Sequence, residues 1–177
     1  SNKILSKKQF VDYLKGRNDK VNYLPNDTEL KQGFENSILI NKQTAGIIYL
    51  IESKIRNRHK QATQLLGINK YSLEHLMPKK WENKWGSVST NEDKDNRNRK
   101  LKTLGNLAII TQSLNASIRD SSWPTKKAGS ENKEGLKHYS GGIETLAPFL
   151  DINDWNENEI EKRADFLLGK ATEIWIA

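Results

Sequence analysis

Two short stretches with the pattern of β-strands, separated by a long polar segment, constrain the fold of this chain most strongly. In residues 70–77 the helical period of the preceding chain stops, and the letters YSLEHLM alternate between polar and apolar until a proline follows. Residues 107–110, with the letters LAII, form a second, compact apolar run. Thr111 or Ser113 can cap a short helix directly after it, and this helix carries Asn115. The pattern therefore predicts two strands followed by a helix.

The order strand, loop, strand, helix is the architecture of a ββα-metal finger. The rest of the chain has helical patterns, so we predict a mostly helical α+β fold in which such a finger is embedded. One compact domain would then contain three parts. They are an N-terminal helical part (1–60), the finger-containing core (61–130) and a C-terminal helical part (131–177).

Local start signals predict the helices before this core. Ser6 with Gln9, and Asn26 with Glu29, each have the spacing of a capping box, in which two side chains bond each other's backbone N–H groups. Isoleucines recur every four residues within 43–58, which predicts the strongest early helix.

Charged and polar residues give three further expectations. Residues 82–102 have little apolar periodicity, and we expect a charged, solvated loop there. Glu52 and Arg56 lie four residues apart on a helix, which is typical of a surface or half-buried ion pair. Asn156 with Glu159 predicts the start of the last long helix.

The composition limits the environment of the protein. The 177 residues suit one domain, and no segment approaches the roughly 20 apolar residues of a membrane span. Cysteine is absent, which excludes disulfides and thiolate metal sites and fits a bacterial cytoplasm. Because Met77 is the only methionine, Ser1 is not an initiator, and we expect a fragment of a longer protein.

The charge is distributed unevenly along the chain. The formal net charge is +7, but residues 151–177 contain seven acidic and three basic residues, which gives −4 there and +11 for residues 1–150. A basic body with an acidic C-terminal helix favours a polyanion, such as DNA, as the partner of the body.

Four polar side chains of the predicted finger have the chemistry that phosphodiester cleavage needs. Glu74 can supply an anionic oxygen ligand, and Asn115 a neutral one, to a hard divalent cation such as Mg²⁺, with Mn²⁺ as a substitute. His75 has an ordinary pKa of about 6.5, so it can accept a proton from the attacking water. Asn106 can orient His75 by accepting a ring N–H on its side-chain or backbone oxygen.

Basic residues supply candidate phosphate contacts. Lys126 or Lys127 would hold the scissile phosphate or a neighbouring one, with Lys127 as part of the catalytic set. The further predicted nucleic-acid contacts are Arg97, Arg99, Lys100 and Arg119.

Each of these residues also has a plainer interpretation. A Glu-His pair is common, and Glu74 and His75 can simply satisfy each other. Asn106 follows a glycine and fits an ordinary turn, while Asn115 fits a helix-surface amide. A charged segment such as 82–102 is usually only solvated.

Together, the pieces LEHLMPKKW, LGNLAIITQSLN and WPTKK resemble the HNH nuclease domain at the C-terminal end of GmrSD-like restriction proteins. They also resemble the related phosphorothioation-dependent SspE proteins. The upstream letters YLIE and the downstream DWNENEIEKRADFLLGKATEIW are similar as well, so the resemblance covers the chain from residue 40 onward.

The resemblance implies a role for each residue of the motif. It implies that His75 is the general base, that Glu74 is a metal ligand, and that Asn106 and Asn115 are the middle and last members of the HNH triad. The chain departs from the common pattern in having Glu in place of Asp at the first position and Asn in place of His at the last. The second departure favours Mg²⁺ or Mn²⁺ over a softer metal.

The resemblance further implies a metal-dependent DNA endonuclease or nickase effector domain of a restriction or phage-defence protein. Such a domain would work with an N-terminal, nucleotide-dependent sensor domain that recognises modified DNA. One alternative is a non-catalytic nucleic-acid-binding module with a degenerate HNH finger, and a second is a helical domain that only carries partner contacts. Cleavage separates the first interpretation from the others, and DNA binding at moderate salt separates the second from the third.

Overall fold

A computed structural model describes residues 6–17, 19, 23–56 and 65–174 of the chain. This described part is a mostly helical α+β fold, as predicted, and it contains two small antiparallel sheets, of which the second was not predicted. Its helices are α1 (Lys7–Lys15), α2 (Asp27–Asn36), α3 (Asn41–Arg56), α4 (Asn91–Lys100), α5 (Gln112–Ile118), α6 (Trp123–Ala128) and α7 (Glu157–Thr172). Its strands are β1 (Tyr71–His75), β2 (Leu107–Thr111), β3 (Gly129–Ser130) and β4 (Lys133–Glu134). Within these residues, no helix combines the length and the apolar character that crossing a membrane requires.

The first two helices begin at the predicted capping residues. The Ser6 hydroxyl accepts the N–H of Gln9, and the Gln9 side chain accepts the N–H of Ser6. Asn26 and Glu29 exchange the same pair of hydrogen bonds. Both capping boxes are therefore confirmed. The helix predicted over 43–58 is α3, and the last two of those residues lie outside the described part.

β1 and β2 form an antiparallel pair along their whole length, with His75 opposite Leu107. Both predicted strands are confirmed, but β1 ends at His75, two residues earlier than the predicted stretch. The next two backbone N–H groups leave the strand pairing because both donate to Asn106. The N–H of Leu76 donates to the main-chain oxygen of Asn106, and the N–H of Met77 donates to the side-chain oxygen of Asn106, each at 2.9 Å.

The β1–β2 hairpin lies between two hydrophobic clusters, one on each face. Ala108 and Ile110 belong to the first cluster, together with apolar side chains of α5 and α6. Leu107 and Ile109 belong to the second, together with side chains of α2, α3 and α7. Because successive strand residues face opposite sides, Glu74, which pairs with Ala108, faces the first cluster. Burial of both faces fixes the strand register.

The polar segment 82–102 is not the solvated loop that its composition predicts, because α4 occupies half of it. Thr90 caps this helix: its hydroxyl accepts the N–H of Asp93 at 3.0 Å, and the Asp93 carboxylate accepts the N–H of Thr90 at 3.2 Å. The helix is fastened to α7 by ion pairs of Arg97 and Lys100 with two glutamates. Charged contacts thus replace the apolar stripe from which a helix is usually predicted.

The ion pair expected at the surface of α3 is buried. Glu52 is 1% exposed and Arg56 is 6% exposed, and Arg56 Nε donates to Glu52 Oε1 at 2.7 Å. The same carboxylate accepts the backbone N–H groups of Glu144 and Thr145, each at 2.8 Å. Glu52 therefore ties the loop before α7 to α3.

Arg163 of α7 is fully buried and holds the turn that precedes β2. Its Nη1 donates to the carbonyl oxygens of Gly105 at 2.9 Å and Leu107 at 2.8 Å, and its Nε donates to that of Thr145 at 3.1 Å. Burial lowers the pKa of Arg163 to about 9, against the opposing effect of Glu52. The guanidinium therefore keeps its charge near neutral pH. We name Glu52, Arg56 and Arg163 the scaffold network.

Helix α7 also packs directly on the turn at Gly105. The helix begins after Asn156, whose Oδ1 accepts the N–H of Glu159 at 3.3 Å, so the predicted start is confirmed. A Cβ on Gly105 would lie 2.0 Å from the carbonyl oxygen of Ile160. Only glycine allows this approach of the turn to the helix.

Candidate functional site

Glu74 is a largely buried carboxylate at the end of the β1–β2 hairpin, 8% exposed. Its Oε1 accepts a hydrogen bond from Nζ of Lys126 on α6. Burial raises the pKa of Glu74, the Lys126 charge opposes this, and the Asp120 charge adds to it. The carboxylate is thus shielded from most of the solvent and is paired with one side-chain cation.

Lys126 joins the two residues of the Glu-His pair and is not a surface cation. It is 0% exposed, and besides bonding Glu74 it donates to the main-chain oxygen of His75 at 2.7 Å. Burial lowers the pKa of Lys126, while Glu74 acts in the opposite direction. The expected phosphate contact of Lys126 is therefore replaced by a buried contact within the protein.

His75 is the last residue of β1, and its side chain is half-buried. Burial lowers the pKa of His75 to about 4, and the charges of Lys79 and Lys126 add to this effect. The imidazole is therefore neutral at physiological pH, as a proton acceptor must be. Within the described residues the imidazole forms no hydrogen bond.

Asn106 lies fully buried beneath the turn that follows His75 and does not bond the imidazole. Its Nδ2 donates to the carbonyl oxygens of Met77 and Leu101, each at 2.9 Å. Its Oδ1 accepts the N–H of Met77 at 2.9 Å and the indole N–H of Trp155 at 3.0 Å. The expected side-chain contact with His75 is absent because these four bonds use the whole amide. Asn106 instead fixes the chain directly after His75.

Asn115 of α5 lies on the same face of the hairpin as Glu74. Its Nδ2 donates to the hydroxyl of Ser72 at 2.9 Å, and Ser72 precedes Glu74 by two residues on β1. Because α5 follows β2 without a loop, the strand pairing sets the position of Asn115 relative to β1. Within the described part of the chain, its amide oxygen forms no hydrogen bond.

Three of the other predicted phosphate contacts are engaged inside the protein. Lys127 Nζ donates to the carbonyl oxygen of Ile152 at 2.6 Å, next to the ring of Trp123. Arg97 is buried against Glu157, and Lys100 is 5% exposed and pairs with Glu161 at 2.9 Å. These side chains form tertiary contacts, and DNA contacts at these positions stay a prediction.

Arg99 and Arg119 remain exposed, as nucleic-acid contacts require. Arg99 donates to Asn96 within α4 at 3.0 Å. Arg119 ends α5 with a φ of 36°, a left-handed conformation that is uncommon for a residue with a side chain. Asp120, the next residue, is the charge that acts on Glu74 and on Lys126.

Two charged residues near the site were not among the predicted site residues. The charge of Asp120 reaches the Glu74–Lys126 pair, and that of Lys79 reaches His75. Lys79 stands in the same LEHLMPKKW stretch as the Glu-His pair, so its position in the motif is a signal that sequence reasoning can use. No comparable local signal marks Asp120, because its effect acts across the packing of α5 against β1.

The described residues contain no group of three or more His, Asp or Glu side chains placed to hold a metal ion together.

A family model described as the C-terminal domain of GmrSD restriction endonucleases matches residues 24–170. The chain belongs to this family. No curated protein and no solved structure matches the chain. The match to the GmrSD C-terminal domain includes the β1–β2 hairpin, α5 and α6, and hence all of the residues around Glu74. Family membership connects this domain with restriction endonucleases, which are nucleases that act on DNA.

Proposed function

We propose that this GmrSD C-terminal domain is a metal-dependent DNA endonuclease or nickase of the HNH type. The observation that carries the proposal is the shared face of Glu74 and Asn115. Neutral His75 is the next residue, at the end of β1, and its side chain starts from the opposite face of the strand. The order of β1, β2 and α5 supports a ββα-metal finger. The family match supports nuclease activity in general.

The oxygen donors at this face fit one hard divalent cation. Glu74 offers the carboxylate oxygen that Lys126 does not bond, and Asn115 offers its amide oxygen. Mg²⁺ commonly keeps several waters and takes only one or two protein ligands, so two such donors are sufficient. Such a cation, when bound, would neutralise charge on the phosphate and stabilise the leaving oxygen.

The residues of the chain would divide the remaining work. A ring nitrogen of His75 accepts a proton from water as the water oxygen forms a bond to phosphorus and the bond to the leaving oxygen breaks. Lys126 holds the main-chain oxygen of His75, and Asn106 holds the next two backbone N–H groups. These contacts restrict the position of the imidazole relative to Glu74. Precise placement of this kind is a large part of enzymatic rate enhancement.

The wider context of the reaction is also a proposal. The substrate would be invading DNA, and an N-terminal, nucleotide-dependent sensor domain of the same protein would recognise its modification state. The work would take place in the bacterial cytoplasm. The basic charge of residues 1–150 supports a DNA partner.

Nicking of supercoiled plasmid tests the activity. Conversion to open-circular DNA is expected with Mg²⁺ or Mn²⁺, and none in EDTA. Undiminished cutting in EDTA would contradict the metal-dependent mechanism.

One observation favours a second candidate function, a non-catalytic nucleic-acid-binding module. Lys126 already neutralises Glu74, so the carboxylate has a partner without a metal. Under this alternative, DNA binds with the salt dependence of phosphate contacts but remains intact with every divalent cation tested.

A further inference from the structure

We infer that Lys79 is the residue that binds the substrate phosphate beside His75. This inference rests on the proposed endonuclease function and names one contact of its substrate. The ligand is a phosphodiester of the DNA backbone, which is recognised through its negative charge and not through base sequence.

The sequence predicts phosphate binding by two other lysines, Lys126 and Lys127, but both form hydrogen bonds within the protein. Lys126 has no exposed surface, and its ammonium bonds Glu74 and the main chain of His75. Lys127 bonds the carbonyl oxygen of Ile152. The Lys126 ammonium cannot reach a phosphate in solvent unless it leaves these contacts, and the Lys127 ammonium is directed toward Ile152.

Lys79 follows a turn whose backbone is held by hydrogen bonds to Asn106. Both backbone polar groups of Met77 are bonded to the side chain of Asn106, and Pro78 is buried. Lys79 is the first exposed residue after this clamped segment. The backbone at Lys79 is therefore fixed relative to His75, while its side chain is exposed.

The charge of Lys79 is both near His75 and available. Lys79 follows His75 by four residues along this bonded segment, and its positive charge contributes to the lowered pKa of His75. Among the described residues, Lys79 has no ion pair and no side-chain hydrogen bond. A phosphate placed for attack by a water next to His75 would lie within reach of this flexible side chain, and the opposite charges attract.

Lys80 provides a matched control, because it is the next residue, is exposed and carries the same charge. The variants Lys79→Ala, Lys79→Arg and Lys80→Ala are compared in metal-dependent plasmid nicking, with rate measured against DNA concentration. We expect Lys79→Ala to lower kcat/KM by about 10- to 100-fold, the usual range for a charge-assisted hydrogen bond. Lys79→Arg retains most of the activity, and Lys80→Ala behaves as the wild type.

Two further measurements separate a phosphate contact from a structural effect. The melting temperature of Lys79→Ala stays unchanged, because this side chain is exposed and forms no hydrogen bond or ion pair among the described residues. The slope of log affinity against log salt falls by about 0.9 for Lys79→Ala, which corresponds to one phosphate contact, but not for Lys80→Ala.

The outcomes distinguish this inference from the function on which it rests. Equal effects of Lys79→Ala and Lys80→Ala in a cleaving protein overturn the role of Lys79 and leave the endonuclease function intact. If the wild type leaves DNA intact with every divalent metal tested, the endonuclease function fails, and the salt slopes then decide the contact. Equal slopes overturn the contact as well, whereas a loss confined to Lys79→Ala retains it as a binding contact.

Discussion

Glu52 and Glu74 are both buried carboxylates paired with a basic side chain, but their surroundings differ. Glu52 accepts hydrogen bonds from Arg56 and from two backbone N–H groups, so both of its oxygens are satisfied. Glu74 is bonded by the side chain of Lys126 through one oxygen, and Asp120 adds a negative charge nearby. The first carboxylate lies inside the fold, and the second lies at the end of a strand.

The two carboxylates also differ in the kind of cation that pairs with them, an arginine for Glu52 and a lysine for Glu74. A guanidinium keeps its charge at neutral pH and forms several directed hydrogen bonds, so the arginines of the scaffold network give a permanent structural arrangement. A buried ammonium can lose its proton or move its flexible stem, and burial lowers the pKa of Lys126. This contrast fits the proposed role of Glu74 as a metal ligand and the structural role of Glu52.

The largest expected effect is on catalysis at His75. Replacing His75 with Ala should lower the nicking rate by roughly 10²–10⁴-fold, because a positioned general base contributes that much, while DNA binding persists. The exposed His138 is the control, and His138→Ala should cut at the wild-type rate. Cleavage by His75→Ala at the wild-type rate would remove His75 from the mechanism.

The same substitution in the two carboxylates compares them directly. Glu52→Gln should lower the free energy of unfolding by roughly 3–5 kcal/mol, because it leaves buried arginine charges uncompensated. Glu74→Gln should cost less, roughly 1–3 kcal/mol, because Lys126 can respond by losing its proton.

Urea denaturation at neutral pH measures these costs, with Glu82→Gln, in a surface pair with Lys94, as the control. That control should change stability by no more than about 1 kcal/mol. If Glu52→Gln and Glu74→Gln destabilise equally, the distinction between the two carboxylates is lost. Loss of nicking is expected only for Glu74→Gln, when all proteins are assayed below their melting temperatures.

A smaller effect separates the two asparagines. Asn115→Ala should weaken metal affinity, and excess Mn²⁺ should recover part of the nicking rate. Asn106→Ala should lower stability by roughly 1–3 kcal/mol, because buried partners such as the indole of Trp155 lose their bonds. Its loss of maximal rate should not respond to metal. Titration of Mn²⁺ against nicking rate decides, and rescue of Asn106→Ala alone would reverse the two assignments.

The smallest expected effect is on the pH dependence of stability. His75 has a pKa of about 4 in the folded chain and an ordinary value of 6.5 when unfolded. As the pH falls through this window, the unfolded chain takes up a proton that the folded chain does not, so folding is destabilised. His75→Gln should therefore show a shallower loss of stability between these pH values.

The raised pKa of Glu74 acts in the opposite direction, and both proteins in this comparison keep that carboxylate. Urea unfolding measured at several pH values gives the two curves. Parallel curves would mean that His75 titrates alike in the folded and unfolded chains.

Local patterns determined much of the fold by themselves. The capping pairs at Ser6 and Asn26, the helix start at Asn156 and the two strands need only neighbours a few residues away, so the sequence contains the complete signal. The same holds for the nuclease family, whose motif pieces are contiguous letters. The prediction failed for α4, where the Thr90 cap was present but no apolar stripe accompanied it.

Tertiary structure alone decided what the polar side chains do. Lys126 and Lys127 are adjacent and chemically identical, yet one bonds a carboxylate 52 residues away and the other a carbonyl 25 residues away. Asn106 is of a residue type that is common in turns, but its hydrogen-bond partners include Trp155 at a separation of 49 residues. Such choices depend on which helices pack against the hairpin, because burial makes each unsatisfied polar group costly and thereby selects its partner.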